Sequence, residues 1–136
     1  MSIILEHVGK AFGERQVLRD VSLMLPESGA VCFFGPSGCG KTTLTRLICG
    51  LDKPDSGRIL KPKGLRIACH FQEDRLLPWY TAEENLTLAL GSVEEARAWL
   101  ERLHLADAGA LYPDELSGGM RRRVSLARAL GYASDV

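Results

Sequence analysis

Residues 35–43 read Gly-Pro-Ser-Gly-Cys-Gly-Lys-Thr-Thr, and no other stretch constrains this chain as tightly. Gly35-x-x-x-x-Gly40-Lys41-Thr42 is the spacing of a phosphate-binding loop. Glycines let backbone N–H groups turn inward and come close to phosphate oxygens. A helix beginning at Lys41 points the positive end of its dipole at the same anion. The Lys41 ammonium then falls to the β- and γ-phosphates, the Thr42 hydroxyl to Mg²⁺, and Thr43 to the α-phosphate. Ser37, Gly38 and Cys39 complete the loop. The flanks agree with this reading. Residues 30–34, Ala-Val-Cys-Phe-Phe, form a short apolar run suited to a strand buried on both faces of a parallel sheet. Residues 41–51 carry Leu44, Leu47, Ile48 and Leu51 at i, i+3, i+4, i+7 spacing, a helix with one apolar stripe. Strand, loop and helix in that order imply an α/β fold.

The remaining chain can be placed around that unit. Residues 3–8 and 17–25 read as strands joined by a turn at Gly13, with Val17, Val21, Leu23 and Leu25 on one face. Pro54-Asp55-Ser56-Gly57 is a turn, and 58–60 and 65–71 are extended. Thr81 with Glu84 and Ser92 with Glu95 have capping-box spacing and start two helices. A loop at Gly109 to Pro113 leads to Ser117, the N-cap of a last helix reaching about Leu130. There is no internal repeat, low-complexity segment or linker.

That last helix opens with a second anion-facing motif. Leu116-Ser117-Gly118-Gly119, followed by Met120 to Leu130, resembles the signature of ATP-binding cassette (ABC) ATPases. The likeness runs from residue 3 to residue 136, and two motifs in family order make it specific. The family resemblance implies a partial P-loop core, an N-terminal antiparallel β-subdomain and a helical signature subdomain at about 74–115, within one nucleotide-binding domain over 1–136. It implies that Phe12 stacks on adenine with Val17 beside it. It puts Gln72 at Mg²⁺ or the attacking water. It places Ser117, Gly118 and Gly119 at the γ-phosphate of a second ATP-binding subunit in a head-to-tail dimer. Leu76-Leu77-Pro78-Trp79 resembles the form in importer ATPases of the nitrate, sulfonate and taurine type. Trp79 and Tyr80 then either meet a membrane subunit or anchor the helical subdomain.

The implied function is ATP binding, and hydrolysis in the intact parent, energising solute import with membrane-spanning permease subunits and, indirectly, a solute-binding protein. The implied location is cytoplasmic, on the inner face of the membrane. The family pattern continues beyond this chain with a Walker B strand, a catalytic glutamate, a D-loop and a switch histidine, and Ala133 to Val136 would be the approach to that strand. On that reading these residues position ATP but hydrolyse it weakly alone, and residues 30–34 expose an unpaired apolar edge that lowers stability. Two alternatives accompany it: a catalytically incompetent fragment that at most binds nucleotide, and a soluble ABC ATPase outside transport.

Composition narrows the classes further. Lys plus Arg and Asp plus Glu each number 17, so no net field steers the chain to nucleic acid. Arg121, Arg122 and Arg123 cannot share one helix face, which argues against a basic docking stripe. No run reaches the ~18 apolar residues of a membrane span, and the N-terminus lacks a signal peptide's basic start and apolar core. Cys32, Cys39, Cys49 and Cys69 form no C-x-x-C pair and read as small buried apolar residues. His7, His70 and His104 lack ligand spacing.

Overall fold

The computed structural model describes residues 2–132, so Ala133 to Val136 lie outside it. The chain forms two compact units, Met1–Leu65 and Arg66–Val136, each taken by itself. No helix among the described residues is long and apolar enough to cross a membrane.

The first unit is a three-stranded antiparallel sheet with one helix. β1 (Ile3–Phe12) lies between β2 (Arg15–Leu25) and β3 (Ser56–Leu60). Its register with β2 shifts three times, the last between Lys10 and Ala11, where Val17 of β2 is passed over. Leu5 pairs with Leu23 and Val8 with Val21, so β1 carries one extra residue there; Lys10 then pairs with Leu18, so β2 carries the next. His7 and Asp20 have positive φ, 51° and 48°, and His7 Nδ1 lies 2.6 Å from Asp20 Oδ1. Such bulges change which side chains face inward. Leu5 and Val8, three apart, are both buried, and so is Leu18. Val21, Leu23 and Leu25 keep the expected shared face, half-buried beside exposed Ser22 and Met24, but the register shifts put Leu18 rather than Val17 in the core. Strict alternation cannot reveal a one-residue bulge.

α1 (Lys41–Cys49) buries Leu44, Leu47 and Ile48. It stops two residues before the expected end. Gly50 takes the left-handed conformation, φ 76°, and the Gly50 and Leu51 N–H groups close back on Leu47 O and Arg46 O. Glycine at that position ends helices in this way, and Leu51 is left exposed.

Residues 30–34 form no strand; Val31 and Phe34 are exposed, Phe34 by 89%. Residues 65–71 pair with no strand either. Apolarity makes a segment fit for a parallel sheet, but a strand exists only through the ladder of a neighbour, and none lies alongside among the described residues. Cys32 and Cys39 are exposed with that segment, and Cys49 and Cys69 are half-buried, so none is a fully buried apolar residue.

The second unit is helical: α2 (Ala82–Leu90), α3 (Val93–Arg102), a 3₁₀ turn at Ala106–Ala108 and α4 (Gly118–Gly131). Its core joins Ala82 and Leu86 to Ala96, Leu100, Leu105, Leu116, Val124 and Ala127. Each buried leucine contributes about 1.5–3 kcal/mol. Thr81 makes a full capping box with Glu84. Ser92 makes only half of one: its Oγ accepts from the Glu95 N–H but gives its own proton to Glu94 Oε2 at 2.9 Å. Glu94 is nearer than the expected Glu95 and takes that hydroxyl.

Candidate nucleotide site

Gly35 to Gly40 precede α1 as an exposed loop. Two of its glycines are required by close approach as well as by φ. A Cβ on Gly35 would stand 2.7 Å from Cys39 Sγ; one on Gly40, φ 100°, would stand 2.8 Å from Leu18 Cδ2. Lys41 folds back into the loop, donating to Gly35 O and Pro36 O at 2.8 Å each, with Cys39 Sγ at 3.6 Å. α1 has no side-chain cap and no acid in its first turn. Its first N–H groups therefore have no side-chain acceptor, and N–H groups of this kind bind anions at helix starts. Thr42 is exposed beside them and Thr43 half-buried. The loop thus fits a nucleotide polyphosphate with Mg²⁺: a cation, unpaired donors and a free hydroxyl converge on one end of one helix.

The β1–β2 hairpin adjoins this loop. Val17 Cγ1 lies 3.1 Å from the Cβ position of Gly40. Phe12, at the end of β1, is 53% exposed, with the Lys10 ammonium 5.5 Å from its ring centroid. Lys10 is anchored by Asp55 at 2.7 Å, and Asp55 also accepts from the Ala11 N–H at 2.8 Å. The Lys10 bond, then the Ala11 bond, hold the Asp55 carboxyl below its ordinary value of 3.8.

In the second unit the residues expected to act with a partner gather at the start of α4. Ser117 Oγ accepts from the Met120 N–H at 3.2 Å. Gly118 and Gly119 are exposed, and nothing stands within 4 Å of a Cβ built on Gly119. Gln72, Asp74, Gly118, Gly119, Arg121 and Arg122 line one open cavity of about 500 Å³.

Sequence reasoning missed what ties the Gln72 segment to this helix. Arg121, Ser125 and Arg128, at i, i+4, i+7, share one face. Arg121 Nε donates to Asp74 Oδ2 at 3.0 Å and its Nη1 to Leu116 O at 2.8 Å. Ser125 Oγ meets His70 Nδ1 at 3.3 Å. Arg128 donates to Asp74 O and Arg75 O; burial lowers its pKa, and Asp74 opposes that shift. The spacing was visible in the sequence, but its partners, some 50 residues earlier, were not. The three arginines diverge: Arg121 turns inward, Arg122 stays exposed, and Arg123 donates to Leu103 O at 2.8 Å. Trp79 is 67% exposed and lies off the helical core, whereas Tyr80 is half-buried and its carbonyl accepts from Asn85 Nδ2 at 3.0 Å.

Comparison with known proteins identifies the family and the fold. Residues 18–136 match the family model described as ABC transporter. The chain is 43% identical over 135 residues to the aliphatic sulfonates import ATP-binding protein of Burkholderia thailandensis, covering 95% of this chain and 40% of that one. A relative of the same name from Pseudomonas syringae pv. tomato is 42% identical, covering 94% and 50%. The chain thus spans about 40–50% of the length of these curated relatives. Among solved structures, the dimeric ATP-binding cassette MJ0796, in a post-hydrolysis state bound to ADP and Pi, superposes with a TM-score of 0.84 at 31% identity. That match covers 97% of this chain and 70% of the other. A second dimeric structure of MJ0796, a bacterial ABC transporter cassette, gives a TM-score of 0.81 at 34% identity, with the same coverage. With an α/β fold that matches these cassettes and a family model spanning most of its length, the chain belongs to the ABC transporter family.

Proposed function

We propose that this chain binds Mg²⁺-ATP and belongs to the ATP-hydrolysing subunit of an importer for small organosulfonates. The observation that carries the reading is the start of α1, where uncapped N–H groups, exposed Thr42 and the Lys41 ammonium folded onto the loop lie together at one helix end. Lys41 holds the β- and γ-phosphates, with Gly35, Ser37, Gly38, Cys39 and Gly40 wrapping them through backbone N–H groups. Thr42 would hold Mg²⁺ through its hydroxyl oxygen, with Gln72 the other candidate ligand, and the ion would supply charge that neutralises the phosphates. Thr43 reaches the α-phosphate, and Phe12, with Val17, carries the adenine.

The import named in the relatives and the dimeric form of the similar cassettes support the rest of the reading. Ser117, Gly118 and Gly119 of one copy address the γ-phosphate held by a second. Exposed Trp79 belongs to the surface offered to membrane-spanning permease subunits, which place the protein on the inner face of the membrane and receive solute from a binding protein. The solute class rests on sulfonate import by the relatives.

The test is Mg²⁺-ATP binding and turnover by the full-length protein and its Lys41→Ala variant. Binding should weaken at least about tenfold when the charge-assisted contacts of Lys41 are removed, with the melting temperature unchanged. A wild-type protein with no measurable nucleotide affinity would end the proposal. Sulfonate uptake in vesicles carrying the whole assembly tests the solute separately.

A further inference from the structure

Arg15 opens β2 directly opposite Phe12, the last residue of β1, with Gly13 and Glu14 forming the turn between them. Side chains of a directly opposed pair stand on the same face of a sheet, about 5 Å apart at Cβ. Arg15 uses that place to reach the phosphate loop. Its Nη2 donates to Gly38 O at 3.4 Å, and a Cβ built on Gly38 would lie 3.3 Å from the same nitrogen. The hairpin touches the loop a second time, where Val17 and Leu18 close on Gly40. The Phe12 end of the hairpin and the loop are therefore neighbours, and Arg15 spans the gap.

The bond to Gly38 O is long for an N–H···O contact, and no carboxylate pairs with Arg15 among the described residues. Lys41 differs, being held by two carbonyls at 2.8 Å. The Arg15 guanidinium is thus an exposed cation on a weak tether, free to exchange one carbonyl for a better acceptor. A guanidinium matches phosphate oxygens with two parallel donors.

We infer that Arg15 is a further nucleotide-binding residue, donating to the sugar–α-phosphate portion of the ligand between the base on Phe12 and the outer phosphates in the loop. The inference rests on the nucleotide reading of the site and adds a residue which that reading does not use. It predicts an interaction common to every nucleotide that carries an α-phosphate, whatever follows it.

The test is equilibrium binding of AMP, ADP and Mg²⁺-ATP to the full-length protein and its Arg15→Gln and Arg15→Lys variants. AMP is read by competition against a fluorescent nucleotide. Arg15→Gln should weaken all three by a similar factor, about tenfold for one charge-assisted bond at an exposed site. Arg15→Lys should recover part of the loss, with unchanged circular dichroism melts in both. A change under twofold for all three overturns the inference. So does a loss confined to ADP and ATP, because Arg15 would then only shape the loop at Gly38. If the wild-type protein binds none of the three, the nucleotide reading itself fails and this inference falls with it.

Discussion

Asn85 offers the sharpest test of how the helical unit is held. It is fully buried on α2. Its Oδ1 accepts the Leu77 N–H at 2.8 Å, and its Nδ2 lies within 3.1 Å of Leu77 O, Tyr80 O and Thr81 O. The amide thereby staples residues 77–81 to the helix that follows. Asn85→Ala removes the staple, but not every group is stranded. Leu77 O keeps the Tyr80 N–H, and Thr81 O keeps the Asn85 N–H. The Leu77 N–H loses its acceptor, and Tyr80 O loses the Nδ2 donor. One orphaned buried donor costs about 1–3 kcal/mol, and the lost bonds from Nδ2 add about 1 kcal/mol. The expected destabilisation is about 2–4 kcal/mol.

Urea unfolding followed by tryptophan fluorescence measures this directly, since both tryptophans of the chain, Trp79 and Trp99, lie in the same unit as Asn85. Asn85→Asp adds a signature. Its carboxylate would face three carbonyl oxygens, so its folded pKa would rise above the unfolded value of about 3.9. Below that unfolded value both states are protonated and the charge penalty is absent. As pH rises the unfolded state ionises first, and the penalty grows until the folded pKa is passed. A loss below about 0.5 kcal/mol for Asn85→Ala, within the range of ordinary surface changes, would refute the staple. A pH-independent Asn85→Asp would do the same.

Two further outcomes are expected. Gly40→Ala puts a methyl 2.8 Å from Leu18 Cδ2 at a φ of 100°; the strain, about 1–3 kcal/mol, should lower the melting temperature and weaken nucleotide binding, and an unaltered affinity would count against the loop geometry. The depressed pKa of Asp55 means that its bonds to Lys10 and Ala11 support the fold above the ordinary value of 3.8 and are lost as pH falls through the lower folded value. Melts of wild type and Asp55→Asn by circular dichroism should therefore diverge at neutral pH and converge toward pH 2, while a constant offset would show that ionisation of Asp55 is immaterial.

Motifs and local signals were legible in the sequence because they depend on neighbours along the chain. Gly35 to Thr43 specify the loop through glycine torsions and a helix start. Thr81 with Glu84, and Ser117, specify helix starts within four residues. Leu44, Leu47 and Ile48 declare a buried stripe by spacing alone. Everything that required a partner distant in sequence was decided by the tertiary structure. Residues 30–34 have strand composition but no strand at their side. Leu18 is buried because His7 and Asp20 bulge in opposite strands. Arg15 reaches Gly38 because a hairpin turns it there, and Arg121, Ser125 and Arg128 hold the Gln72 segment across some 50 residues. The physical reason is common to all of these. Backbone torsion and helix capping are short-range preferences carried by each residue, whereas ladders, ion pairs and burial exist only once chain folding brings remote groups within a few ångströms.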